Sequence, residues 1–161
     1  MVFTSDIILR GSVWDRVVER LLNRVFKSIY GIFLISSAIG IAYDKRLVTD
    51  KQAEEERTVP RTVLIQPKYS QKLEVLFQSA IVSTTTEPFN ESERLKLAFG
   101  EEKEIDYNKV NLLVEFANFG ITVLDSCLVE GDEITTIENI KNTVLSICKG
   151  ENIDIILGNI E

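Results

Sequence analysis

The sequence predicts an all-α fold: one compact, mostly helical bundle of about five to seven helices over residues 1–161, with a long charged loop and room for one short strand or hairpin. Three observations predict it. Over residues 9–29 the apolar positions Leu9, Val13, Trp14, Val17, Val18, Leu21, Leu22, Val25, Phe26 and Ile29 repeat at the three-and-four spacing of a single helical face. Residues 29–43, IYGIFLISSAIGIAY, carry no charge at all. Residues 108–128, NKVNLLVEFANFGITVLDSCL, are apolar on more than one face, which requires burial on more than one side.

The first segment predicts either two helices, parted by a bend near Gly31, or one long kinked helix, because glycine lowers helix propensity by about 1 kcal/mol without forbidding the helix. The uncharged run is 15 residues long and includes Gly31, Ser36, Ser37 and Gly40, short of the about 20 apolar residues that span a bilayer. An amphipathic segment precedes it, unlike a secretory leader. The expectation is a soluble, cytoplasmic chain that makes no membrane contact, with the run as a helix buried on nearly all sides. Ser36 and Gly40, four apart, share a face where a neighbouring backbone can approach closely. Residues 108–128 are its natural packing mate.

Residues 45–69 mix charges with Pro60 and Pro67 and lose the apolar rhythm, so a surface loop is expected there, with Thr62 to Gln66 as its one candidate strand. Ser70 precedes a helical pattern at Leu73, Leu76, Phe77 and Ile81. Asn90 stands three residues ahead of Glu93 in capping-box spacing, for a short helix ending at Gly100. Thr135 and Glu138 repeat that spacing ahead of Ile140, Val144 and Ile147, with Gly150 as the stop. A last short helix is expected over residues 152–157.

Composition excludes several chemistries. The chain has no histidine, which removes Ser-His, Cys-His and histidine-metal arrangements. Its two cysteines, Cys127 and Cys148, indicate neither a disulfide framework nor a zinc site and read as small buried hydrophobes in a reducing compartment. There is no phosphate-binding or dinucleotide-binding glycine motif, and no cofactor is called for. The net charge of −7 is unevenly spread: residues 1–50 hold seven basic and five acidic side chains, residues 101–161 four and thirteen. The first segment is thus at +2 and the last at −9.

Two charge groupings are candidates for function. Arg16, Arg20, Arg24 and Lys27 form a basic stripe on the predicted first helix, and Lys45 and Arg46 follow the uncharged run. These six are the candidate partner-binding residues; the stripe reads as a solvated face, as a partner for acidic protein surface within or outside the chain, or as a phosphate-binding row. The acidic groups EEKEID, at residues 101–106, and EGDE, at residues 130–133, lack the fixed spacing of an ion-binding loop and read as helix-start charges, with metal or acid-base chemistry as the alternative.

Residues 26–46, FKSIYGIFLISSAIGIAYDKR, together with residues 112–128, LLVEFANFGITVLDSCL, resemble small accessory proteins encoded beside bacterial DNA phosphorothioate modification and restriction systems. The similarity lies in Phe26 leading the apolar helix, in Ser37-Ala38-Ile39-Gly40 followed by Lys45-Arg46, and in Asn118-Phe119-Gly120, about a quarter of the chain. It implies a non-enzymatic accessory or scaffolding subunit of an anti-phage defence complex, bound to larger ATPase or nuclease subunits, with nucleic acid touched at most indirectly and self-association left open. Two other readings stand beside it: a DNA-binding regulatory module using the basic stripe, and a small metal-dependent enzyme using the acidic loops.

Overall fold

Ile7–Arg10 forms strand β1 and not the first turn of a helix, with Ile7 and Leu9 buried and Ile8 turned outward. The computed structural model that shows this describes residues 3–100 and 108–151. β1 pairs antiparallel with β2 (Glu56–Val59), with Ile7 opposite Val59 and Arg10 opposite Glu56. The helical reading of Leu9 fails because a strand of four residues gives only two inward positions, and these coincide with the helical spacing that follows.

Helix α1 (Ser12–Leu21) opens after Gly11, whose φ of 111° lies where only glycine sits without strain. It buries Trp14, Val17, Val18 and Leu21. The chain then turns through Asn23, at φ 64°, and Ser28 caps α2 (Ile29–Ala42) by accepting from the Gly31 N–H. The two-helix alternative therefore holds, with the break in a turn over residues 22–28 and not at a bend near Gly31.

The centre of the molecule is the crossing of α2 with α6 (Lys109–Ser126), as the small residues predicted. Gly40 packs on the backbone of Phe116, and Gly120 on that of Ser36. Each glycine admits the other helix's main chain, and Phe33 and Phe116 are fully buried around the contact. Burying a phenylalanine of this kind contributes about 1.5–3 kcal/mol. The Trp14 indole N–H donates to Asn118 Oδ1 at 2.9 Å, and Asn118 Nδ2 donates to the Leu47 carbonyl at 3.0 Å and to Thr49 Oγ1 at 3.1 Å. One buried amide thus ties α1, α6 and the segment after α2 together.

Helix α2 ends in a Schellman turn: Asp44 adopts φ 49°, its N–H reaches the Ile41 carbonyl, and the Lys45 N–H reaches that of Gly40. Gly150, at φ 73°, ends α7 (Glu133–Cys148) in the same way. Asp44 accepts the strain because its carboxylate is used: it takes hydrogen bonds from the Thr84 hydroxyl and from the N–H and hydroxyl of Thr85. Burial raises the Asp44 pKa, but these bonds, helped by Arg46, outweigh it and hold the group below the usual aspartate value.

Residues 45–69 are less of a loop than predicted. They contain β2, a short helix α3 (Arg61–Leu64) where the candidate strand was expected, and the start of α4 (Pro67–Ser83). Pro60 and Pro67 explain the difference, since proline suits the entry to a helix, where no intrahelical N–H bond is lost. Helix α5 (Glu91–Phe99) begins with the predicted Asn90–Glu93 capping box. Arg94 donates to the carbonyls of Ile81, Thr84, Glu87 and Phe89, so one guanidinium ties α5 to the end of α4 and the turn between them.

At α7 the cap is Asp132 and not Thr135: it accepts from the Thr135 N–H at 2.9 Å, because Gly131, at φ 73°, turns the chain three residues earlier than expected. Cys127 is buried as predicted, whereas Cys148 is exposed. Among the described residues the fold is mostly helical, with seven helices and one two-stranded sheet, and no helix is long and apolar enough to cross a membrane. The helix expected at residues 152–157 lies outside the described residues.

Candidate interaction surface

The basic stripe is not one helical face. Arg16 and Arg20 lie on α1, while Arg24 and Lys27 fall in the turn after it. Three of the four have acidic partners from the second half of the chain. Arg16 makes a two-pronged contact with Asp125, Nε to Oδ1 at 2.7 Å and Nη2 to Oδ2 at 2.5 Å. Arg20 stands 3.8 Å from Glu130, and Arg24 3.9 Å from Glu133. The hydrogen bond and then the charge of Asp125 raise the Arg16 pKa against a smaller effect of burial, so the guanidinium stays charged.

Past α2, Arg46 bridges Glu87 at 2.6 Å and Glu115 at 3.5 Å, and Lys45 lies 5.6 Å from the centre of the Phe119 ring. The charge asymmetry along the sequence is therefore met in good part inside the molecule. Lys27 is exposed and forms no ion pair with the described residues.

The EGDE group is engaged in the same way. Asp132 caps α7, while Glu130 and Glu133 face Arg20 and Arg24. Among the described residues no three His, Cys, Asp or Glu side chains come together as a metal site would need. The EEKEID group, apart from the facts of its sequence, lies outside the described residues.

What the sequence did not mark is an open groove between α2 and α4, with a volume of about 830 Å³. One wall is Phe26 and the α2 face Gly31, Leu34, Ile35 and Ala38; the other is Gln71, Val75 and Leu76, with Lys68 and Lys72 at the edge. The expectation that α2 is buried on nearly all sides fails on this face, where Leu34, Ile35 and Ala38 are only half-buried. Val75 is 59% exposed, an unusual setting for a β-branched apolar residue beside an apolar wall.

Next to Gly31 and Lys68 of the groove, Tyr30 ties α2 to the start of α4. Its hydroxyl donates to the Tyr69 carbonyl at 2.9 Å, and the two rings meet edge to face at 4.7 Å. Burial, with a smaller effect of Tyr69, pushes the Tyr30 hydroxyl up to about 12, so it remains a donor that fixes the start of α4 against α2. The signal for the groove was present in the sequence: 31, 34, 35 and 38 share one helical face, as do 68, 72 and 75. Only the fold shows that nothing else in the described chain covers both.

Comparison with known proteins adds no assignment: no protein-family model, no curated protein and no solved structure matches this chain.

Proposed function

We propose that this protein is a non-catalytic accessory subunit that docks onto a larger protein by receiving an acidic, amphipathic helix in the α2–α4 groove. The observation that carries this is the groove itself, an apolar trough with lysines at its edge. A helix laid in such a trough buries its apolar face on Leu34, Ile35 and Val75, while its carboxylates meet Lys68 and Lys72. The resemblance to phosphorothioate-system accessory proteins supports a partner among the ATPase or nuclease subunits of a bacterial anti-phage complex, and with it a cytoplasmic setting.

The DNA-binding reading is less well supported, since phosphates would have to displace the carboxylates already facing Arg16, Arg20 and Arg24. The groove is proposed as a docking surface beside the candidate partner-binding residues Arg16, Arg20, Arg24, Lys27, Lys45 and Arg46. Tagged wild-type protein and the variants Val75→Asp and Lys72→Glu, captured from native cells with nuclease present, test the proposal. Wild type should retain a stoichiometric large subunit whose cross-linked segment is acidic and amphipathic, and both variants should lose it while keeping their thermal stability. A partner retained by Val75→Asp, or lost on nuclease treatment, refutes the reading.

A further inference from the structure

We infer that the free edge of β1 is a second docking site, which takes an extended segment of a partner protein as a third strand. The site shares no lining residue with the α2–α4 groove and does not depend on the function proposed for that groove.

The ladder fixes which way each backbone group points. The Gly11 N–H donates to the Glu55 carbonyl at 3.0 Å, just past the Arg10–Glu56 end of the β1–β2 register. Bonded and non-bonded pairs alternate along antiparallel strands, so Leu9 and Ile7 turn their N–H and C=O groups towards β2 while Ile8 and Arg10 turn theirs away. The four groups turned away make no hydrogen bond with any described residue. A row of unpaired backbone donors and acceptors is a template for another strand.

This edge forms one wall of a cleft of about 420 Å³. Ile7 and Ile8 point to opposite faces of the strand yet both line the cleft, which therefore runs along the edge between them. The opposite wall is the start of α6, with Val110 half-buried and Val114 buried. A slot closed on its far side by a helix admits one extended chain and not the edge of another folded sheet, which favours a peptide segment over a second copy.

The lining also specifies chemistry. Arg10 is engaged with Glu56, and Asp6 accepts from the Arg61 N–H at 2.6 Å, whereas Lys51 is exposed and forms no ion pair with the described residues. The segment that fits has apolar side chains at alternate positions, directed at Val110 and Val114, and a carboxylate for Lys51.

Ile8→Pro tests the site, since it deletes one outward N–H and leaves every β1–β2 bond in place, while Ile8→Ala keeps that N–H. The probe is a set of peptides selected on the full chain from a random library displayed on phage. In the free protein the Leu9 amide should exchange at least about 10-fold more slowly than those of Ile8 and Arg10, and selected peptides should slow the latter two. They should bind Ile8→Ala like wild type, Lys51→Glu more weakly, and Ile8→Pro about 10-fold more weakly. Methylating alternate backbone nitrogens of a selected peptide removes its donors without touching the protein and should abolish binding. A library that yields no binder overturns the inference, as do binders that ignore Ile8→Pro or survive methylation. Slow exchange at Ile8 and Arg10 without peptide also overturns it, and where dilution removes that protection the edge belongs to a second copy.

Discussion

Gly40→Ala probes the α2–α6 crossing directly, because a Cβ built at Gly40 lies 2.6 Å from the Phe116 carbonyl carbon and 2.9 Å from its Cα. Ordinary carbon contacts begin near 3.4 Å, so the helices must part, and both obstacles are backbone that no rotamer change can move. Adding a methyl group to a packed core costs about 1–3 kcal/mol, and a backbone obstacle puts this case at the upper end. Alanine returns about 1 kcal/mol of helix propensity, leaving a net loss of about 2 kcal/mol.

For a chain of this size that loss lowers Tm by roughly 4–8 °C, readable by thermal and urea unfolding followed by far-ultraviolet circular dichroism. Gly31→Ala, in the same helix, is the control. Its Cβ would come no nearer than 3.4 Å to the Phe26 ring, so the propensity gain is unopposed and stability should rise by up to about 1 kcal/mol. If Gly40→Ala is as stable as Gly31→Ala, close backbone approach does not hold the two helices together and the account of the core is wrong.

Other expectations follow from single side chains. Asn118→Ala leaves the buried Trp14 N–H and the Leu47 carbonyl without their partner and should cost about 2–4 kcal/mol, with faster amide exchange across residues 47–49 and shifted tryptophan fluorescence. Arg94→Lys cannot reach four carbonyls with one ammonium group and should lose about 1–3 kcal/mol, whereas a variant as stable as wild type removes that role from the guanidinium. The lowered Asp44 pKa means that its contribution is complete above the ordinary carboxylate range and is lost as pH falls through the folded value. Asp44→Asn should therefore cost about 1.5–3 kcal/mol at pH 7, with the gap to wild type closing below about pH 4 in urea titrations. A thiol reagent should label exposed Cys148 rapidly and buried Cys127 only on unfolding, since burial holds its thiol pKa above the usual value despite bonds with Thr143 and Ser126.

Local chemistry made much of the fold legible. The Asn90–Glu93 box needs only its own residues, and the Gly150 stop needs only a left-handed backbone position. The α2–α6 crossing was readable because Ser36 and Gly40, like Gly120, are small residues within apolar helices. The β1–β2 pair was not, because its two four-residue strands are separated by α1 and α2 and find each other only in three dimensions. The end of α1 was hidden because Leu22, Val25 and Phe26 keep helical spacing through a turn that Asn23 makes by its positive φ.

The interaction surface was less legible for a related reason. The sequence showed that Arg16, Arg20 and Arg24 needed acidic neighbours, but the choice between solvent, partner and the chain itself depended on where Asp125, Glu130 and Glu133 would lie. The groove was obscured by the uniformity of α2, since a helix apolar all round gives no sign of which side will be left open.

The glycine crossing also sets an order of events during synthesis. Gly40 and Gly120 are 80 residues apart, so the most apolar helix is made long before the surface it must meet. At about 5–20 residues per second, the nascent chain carries an unmated α2 for roughly 4–16 s. During that interval the face that will admit α6 is available to chaperones or to another chain, and the late arrival of Gly120 is what ends the exposure.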